Sequence, residues 1–93
     1  MKTIKVYYDK TLGMSEGKIT SQCCHAVSGL VAQIGYDRDT KIIILGAMAA
    51  KFFGLYESLV DTETPVYMQT DLGFNEVQVG SNTAFAYLDE NYE

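Results

Sequence analysis

The residues able to do chemistry fall in two short stretches. In the first, Lys18, Gln22 and His25 stand at spacings of four and three, so a helix through them lines all three along one side, opposite its apolar stripe. Lys18 then falls in the first helical turn, where free N–H groups and the helix dipole already present positive charge. A lysine there is disfavoured by about 0.3–1 kcal/mol. A local rule broken without obvious gain tends to mark a functional position. A helix N-terminus with a lysine makes an anion site for a phosphate, a carboxylate or a developing oxyanion. A solvated lysine whose stem leads away from the dipole fits the same pattern. In the second stretch, Asp71 follows an apolar run in Gln69-Thr70-Asp71-Leu72-Gly73. Ligand sites gather at strand ends in α/β sheets, but Asp ahead of a Gly turn is also ordinary turn chemistry.

Other chemistries have less support. His25 is the only histidine, and beside Cys23 and Cys24 it also reads as a satisfied, half-buried side chain. Neighbours on a helix diverge by about 100°. The Cys-Cys-His triplet therefore cannot close a tetrahedral metal site, and the two adjacent cysteines are poor disulfide partners for each other. No metal or cofactor is expected, and reduced thiols agree with a cytoplasmic address. Nucleophile-elbow, phosphate-loop and dinucleotide motifs are absent from the sequence.

The elements that must position these groups follow from hydrophobic period. Lys2–Tyr8 alternates and is rich in Ile, Val and Tyr, a first strand. Asp9–Glu16 reads as a loop with Ser15 as helix N-cap. From Gly17 the period changes: Ile19, Cys23, Ala26, Val27, Leu30, Val31 and Ile34 form a buried helical stripe that Gly35 ends. Lys41–Leu45 contains Ile42-Ile43-Ile44-Leu45, a run expected of a strand covered on both faces by helices. A second helix, about 48–60, carries Phe52, Phe53, Leu55, Tyr56 and Leu59 on a broad apolar face. Asp61–Thr64 is a polar turn, Pro65 opens a third strand at Val66–Thr70, and Thr83–Leu88 is the last. Residues 72–80 read as irregular, with local pairing expected in Asn75–Val79. The order β-α-β-α-β-β predicts one layered α/β domain over residues 1–93.

Composition bounds the function. With 93 residues, 47% hydrophobic and 20% charged, the chain reads as a globular domain with stability of roughly 5–14 kcal/mol. No apolar run approaches a membrane span, and the N-terminus alternates instead of leading into an export signal. The net charge of −5 runs against the basic surface usual in a nucleic-acid binder, although a local basic pocket can sit on an acidic body.

The motifs resemble those of type 2 peptidyl-tRNA hydrolases. Met14-Ser15-Glu16-Gly17-Lys18-Ile19, with Gln22-Cys23 and His25-Ala26, is similar to that family's first-helix signature. Pro65 through Gly73 looks like its strand leading to a Gln-Asp-Ala-Gly turn, with one residue here between Gln and Asp. Gly80, Ser81 and Thr83 fall where the family has Gly-Thr-x-Thr. The resemblance implies a three-layer α/β/α sandwich on a mixed sheet of about four strands, one antiparallel to the rest. It implies a homodimer that hydrolyses the ester between peptide and tRNA. Carried over by position, Lys18, Asp71 and Thr83 are catalytic, and Gln22, His25, Asn75 and Ser81 contact substrate. In that mechanism Lys18 stabilises the oxyanion, Asp71 orients Lys18 or accepts a proton from water, and Thr83 with Ser81 or Asn75 positions water or substrate. The chain departs from the family at Phe74-Asn75, where an Arg-Thr pair is expected; losing the arginine removes a planar cation suited to phosphate. It is also short between the first helix and second strand. Competing readings are a non-catalytic binding module on the same fold and a hydrolase of another acyl ester.

Overall fold

The computed structural model describes residues 2–71, 77–78 and 80–90. Four strands and two long helices follow the expected order: β1 (Thr3–Asp9), α1 (Glu16–Ile34), β2 (Lys41–Ala47), α2 (Ala49–Asp61), β3 (Val66–Thr70) and β4 (Asn82–Leu88). A single 3-10 turn at Lys10–Leu12 interrupts the expected first loop, capped by Asp9, whose carboxylate accepts from the Thr11 amide.

The strands lie in the order β2-β1-β4-β3. β1 pairs parallel to β2 and antiparallel to β4, and β4 pairs antiparallel to β3. Hence β4 alone runs against the other three, as expected. Alternation then sorts side chains between two cores. Ile4 and Val6 of β1 with Ala84 and Ala86 of β4 face Cys23, Ala26 and Leu30 of α1. Tyr7, Phe85 and Tyr87 face Phe52 and Leu59 of α2 across the other side. The small alanines let α1 approach the sheet closely, while Phe85 fills the wider α2 layer, its ring centroid 5.0 Å from that of Phe52. The expected stripe of α1 is the buried one: Ile19, Val27, Val31 and Ile34 pack around its centre. On α2, Phe53, expected on the broad apolar face with Phe52, is exposed instead.

One expectation fails. The Ile42-Ile43-Ile44-Leu45 run is not covered on both faces, because β2 is an edge strand and α1 lies across β4, β3 and β1 instead. Ile42, Ile44 and Leu45 remain 43%, 53% and 37% exposed. The expected local pairing in Asn75–Val79 falls mostly outside the described residues. No helix among the described residues is long and apolar enough to cross a membrane.

Candidate functional site

α1 begins at a built cap. Ser15 holds an extended backbone and its hydroxyl accepts from the Lys18 amide at 3.3 Å. This fixes Lys18 in the first turn, and the helix axis aims it at the end of β3. There its Nζ donates to Asp71 Oδ1 at 2.5 Å, an ion pair whose side chains are only 9% and 3% exposed. The cation that the helix dipole disfavours is thus offset by a carboxylate, which the same dipole favours. Asp71 is held by main-chain bonds on both sides: its N–H donates to the Ser81 carbonyl at 2.8 Å, and its carbonyl accepts from Gly80 N–H at 3.0 Å. Gly80 takes φ +85°, a left-handed conformation that favours glycine.

One helical turn further, Gln22 does not lie opposite the core as expected: it is buried against the sheet and meets Thr83 of β4, with Thr83 Oγ1 2.5 Å from Gln22 Oε1 and 3.2 Å from the Gln69 carbonyl. The hydroxyl has one proton for these two acceptors. With the Gln22 amide turned so that Nε2 faces Thr83, both contacts become hydrogen bonds. Thr83 reaches α1 only because of a bulge. Gln69 pairs with Ala84 and Thr70 with Asn82, so one step along β3 matches two along β4, and Thr83 is the extra residue. Strict alternation would place Thr83 with Phe85 and Tyr87 on the α2 side. The bulge re-aims it to the face of Ala84, toward α1. A hydrogen bond from Thr70 Oγ1 to Asn82 Oδ1, 3.2 Å, bridges the strands beside the irregularity.

The structure therefore brings Lys18 to Asp71 and Gln22 to Thr83, in adjacent turns under the start of α1. Ser81 joins through its main chain. His25 shares the α1 stripe but is exposed. Asn75 and Phe74 lie outside the described residues. Thr83 is fully buried with its hydroxyl engaged, so it holds Gln22 and β3 in place and does not face solvent. The pairing around Thr70 and Asn82 and the Gln69 carbonyl were not legible beforehand, since they depend on strand register and no spacing encodes them.

Chemically, the cluster offers an ammonium with protons to spare beyond Asp71, next to the first amides of a helix, of which the Lys18 N–H is taken by Ser15 Oγ. A Cβ built on Gly17, the residue before Lys18, would meet nothing within 4 Å. The other reactive groups are poorly set for nucleophilic attack. Burial, and to a lesser degree Cys24, pushes the Cys23 thiol up to about 11, which keeps it protonated. Cys24 is exposed on the neighbouring flank, so the two sulfurs diverge. The described grooves lie elsewhere, one beside Leu59 and Pro65 and one between α1 and β2.

A family model described as "Peptidyl-tRNA hydrolase PTH2" matches residues 4–89. No curated protein matches the chain.

Proposed function

Because the chain belongs to the peptidyl-tRNA hydrolase PTH2 family, we propose that it hydrolyses the ester joining a peptide to the 3′ end of tRNA, with Lys18 and Asp71 as its working pair. The observation that carries this reading is the buried Lys18–Asp71 contact at the N-terminus of α1. Water attacking an ester carbonyl develops negative charge on the carbonyl oxygen. Lys18 Nζ and the first amides of α1 stabilise that charge, and one such donor is typically worth about 10²–10³ in rate. Asp71 fixes the ammonium, takes a proton from the attacking water, and returns it to the tRNA 3′ oxygen as the tetrahedral intermediate collapses, breaking the ester C–O bond and releasing the peptide acid. The two ions are already desolvated, so their attraction and their field at the reacting atoms are stronger than in water. Thr83 and Gln22 act beneath them as positioning residues, holding α1 against the β3–β4 ladder. His25, Ser81 and Asn75 are the groups left to meet substrate. No covalent intermediate is needed, in keeping with the protonated Cys23.

Translation in the cytoplasm, a tRNA substrate and a homodimeric state belong to the same reading. The net charge of −5 favours one rival, hydrolysis of a smaller acyl ester by the same residues without an extended RNA contact. The deciding experiment is release of peptide from purified N-blocked aminoacyl-tRNA at low salt, comparing wild type with Lys18→Ala and Asp71→Ala. Turnover by wild type and none by the two folded variants supports the proposal. Folded wild type that cleaves a simple acyl ester but not the tRNA substrate favours the rival, and inactivity on both overturns hydrolysis altogether.

A further inference from the structure

The end of the sheet away from Lys18 and Asp71 carries a second concavity. α2 stops at Asp61, and the turn that follows leads through Pro65 into β3, beside the end of β4. Leu59, Pro65, Tyr87 and Leu88 form the wall of a groove of about 280 Å³, and Glu63, Asp89 and Glu90 stand along it. Leu88 N–H donates to the Pro65 carbonyl at 3.1 Å, which ties the two sides together. Pro65 precedes β3 and Asp71 follows it, so roughly 20 Å of extended chain separates this groove from the Lys18–Asp71 pair.

Charge here runs against the usual rule. The C-terminal end of a helix is the negative pole of its dipole and normally attracts cations. α2 has no basic residue in its last turn and closes on Asp61. Glu63 follows with φ +56°, a left-handed backbone usually given to glycine, so a carboxylate is kept where glycine would sit with less strain. Along the groove, Asp89 is taken by Lys5 at 3.1 Å. Glu63 and Glu90 form no ion pair with any described residue.

A second observation is independent of the acids. Tyr87 is only 8% exposed, its ring lies against Phe85 with centroids 6.2 Å apart, and what remains exposed opens into the groove. Its phenol has no hydrogen-bond partner among the described residues, although a buried hydroxyl ordinarily has one. Burial pushes the phenol pKa up, against a smaller opposing pull from Lys5, so the group stays neutral. Its oxygen can then accept a hydrogen bond from a ligand.

We propose that this groove binds a linear alkylammonium cation, with its chain along Leu59, Pro65 and Leu88 and its charged head between the Tyr87 hydroxyl and the carboxylates of Glu63 and Glu90. A bare metal ion fits less well: no three ligating side chains among the described residues gather around one point, and the apolar wall would go unused. An aliphatic chain with a cationic end matches both the wall and the rim. Two sources offer that chemistry, a free diamine and the lysine side chain of a basic peptide. The assignment goes beyond the hydrolase reading and does not depend on it.

The test is titration of the intact protein with cadaverine and, separately, with a blocked tripeptide carrying one central lysine, followed by residue-resolved amide shifts. Saturable shifts should centre on Glu63, Tyr87 and Leu88. Glu63→Gly removes a carboxylate and relieves the left-handed backbone, so it should melt no lower than wild type yet bind about 3–5-fold more weakly. Glu90→Gln should lose a similar factor. Tyr87→Phe keeps the ring and its packing and should weaken binding by about 2–10-fold. Saturation by cadaverine supports the site for free diamines, and saturation by the peptide alone supports it for a lysine side chain. No saturable shift with either probe, the same shifts from potassium chloride at equal ionic strength, or binding unchanged in all three variants overturns the proposal.

Discussion

Neutralising Lys18 and Asp71 singly and together separates what the pair does for the fold from what it does for catalysis. Lys18→Met leaves a carboxylate only 3% exposed without its ammonium, and breaking a buried pair from one side typically costs about 3–5 kcal/mol. Asp71→Asn is milder, about 1–3 kcal/mol, because Lys18 sits at a helix end and its flexible stem can carry the charge to water. With both charges gone, nothing is left desolvated and unpaired, so Lys18→Met/Asp71→Asn should recover much of the loss. The expected coupling is about 2 kcal/mol, against total stability of roughly 5–14 kcal/mol for a chain of 93 residues. Urea unfolding of the four proteins measures it. Hydrolysis should behave differently: Lys18→Met should lose about 10²–10³ in turnover, and the double variant should stay inactive while regaining stability. Additive stability losses, with coupling below about 0.5 kcal/mol, would refute the energetic reasoning. Activity returning with stability in the double variant would refute the catalytic role.

Three further outcomes follow from the packing. Gly29→Ala would normally stabilise a helix by about 0.5–1 kcal/mol, but a Cβ there lies 2.4 Å from the Tyr67 ring, so it should destabilise by about 1–3 kcal/mol, with recovery in Gly29→Ala/Tyr67→Leu by thermal melting. Thr83→Val removes the hydroxyl between Gln22 and the Gln69 carbonyl and should cost about 1–3 kcal/mol in urea, whereas Thr83→Ser should restore most of it. The Cys23 thiol, raised from 9.0 to about 11 by burial, binds its proton more tightly in the folded chain; its contribution is complete below pH 9 and is lost as pH rises through 11. A shift of that size is worth about 3 kcal/mol, so the fall in melting temperature between pH 9 and 11 should be shallower in Cys23→Ala than in wild type.

How far the sequence reads depends on whether an interaction is local. The stripe of α1 was legible because burial at Cys23, Ala26 and Leu30 follows the helical period, and Ser15 because a cap is defined by residues three apart. Lys18 was legible as an oddity for the same reason: its conflict with the helix dipole is visible without any knowledge of the sheet. Its partner was legible only through the family resemblance, which has Asp71 orient Lys18; residue pattern alone could not give it, since Asp71 lies 53 residues away and meets Lys18 only when α1 is laid across β4 and β3. Thr83 shows the limit more sharply. Counting alternate residues from Phe85 assigns it to the α2 face, and only the bulge opposite Gln69/Thr70 turns it to Gln22.

The Ile42–Leu45 run was misread for a related reason. Four consecutive apolar residues report that both faces of a strand want cover, and they are silent on whether that cover comes from the same chain. In a sheet ordered β2-β1-β4-β3, a single helix on the α1 side can span about three strands, and the short segment between α1 and β2 supplies no second helix for the fourth. The pattern therefore recorded a real demand for burial, and the fold of one chain does not meet it. The end of the molecule proposed to carry the chemistry shows the converse. There the polar groups Lys18, Asp71, Gln22 and Thr83 are buried and mutually engaged within one chain. One copy thus suffices to bring Lys18 to Asp71, and substitutions at the exposed β2 edge should leave that geometry intact.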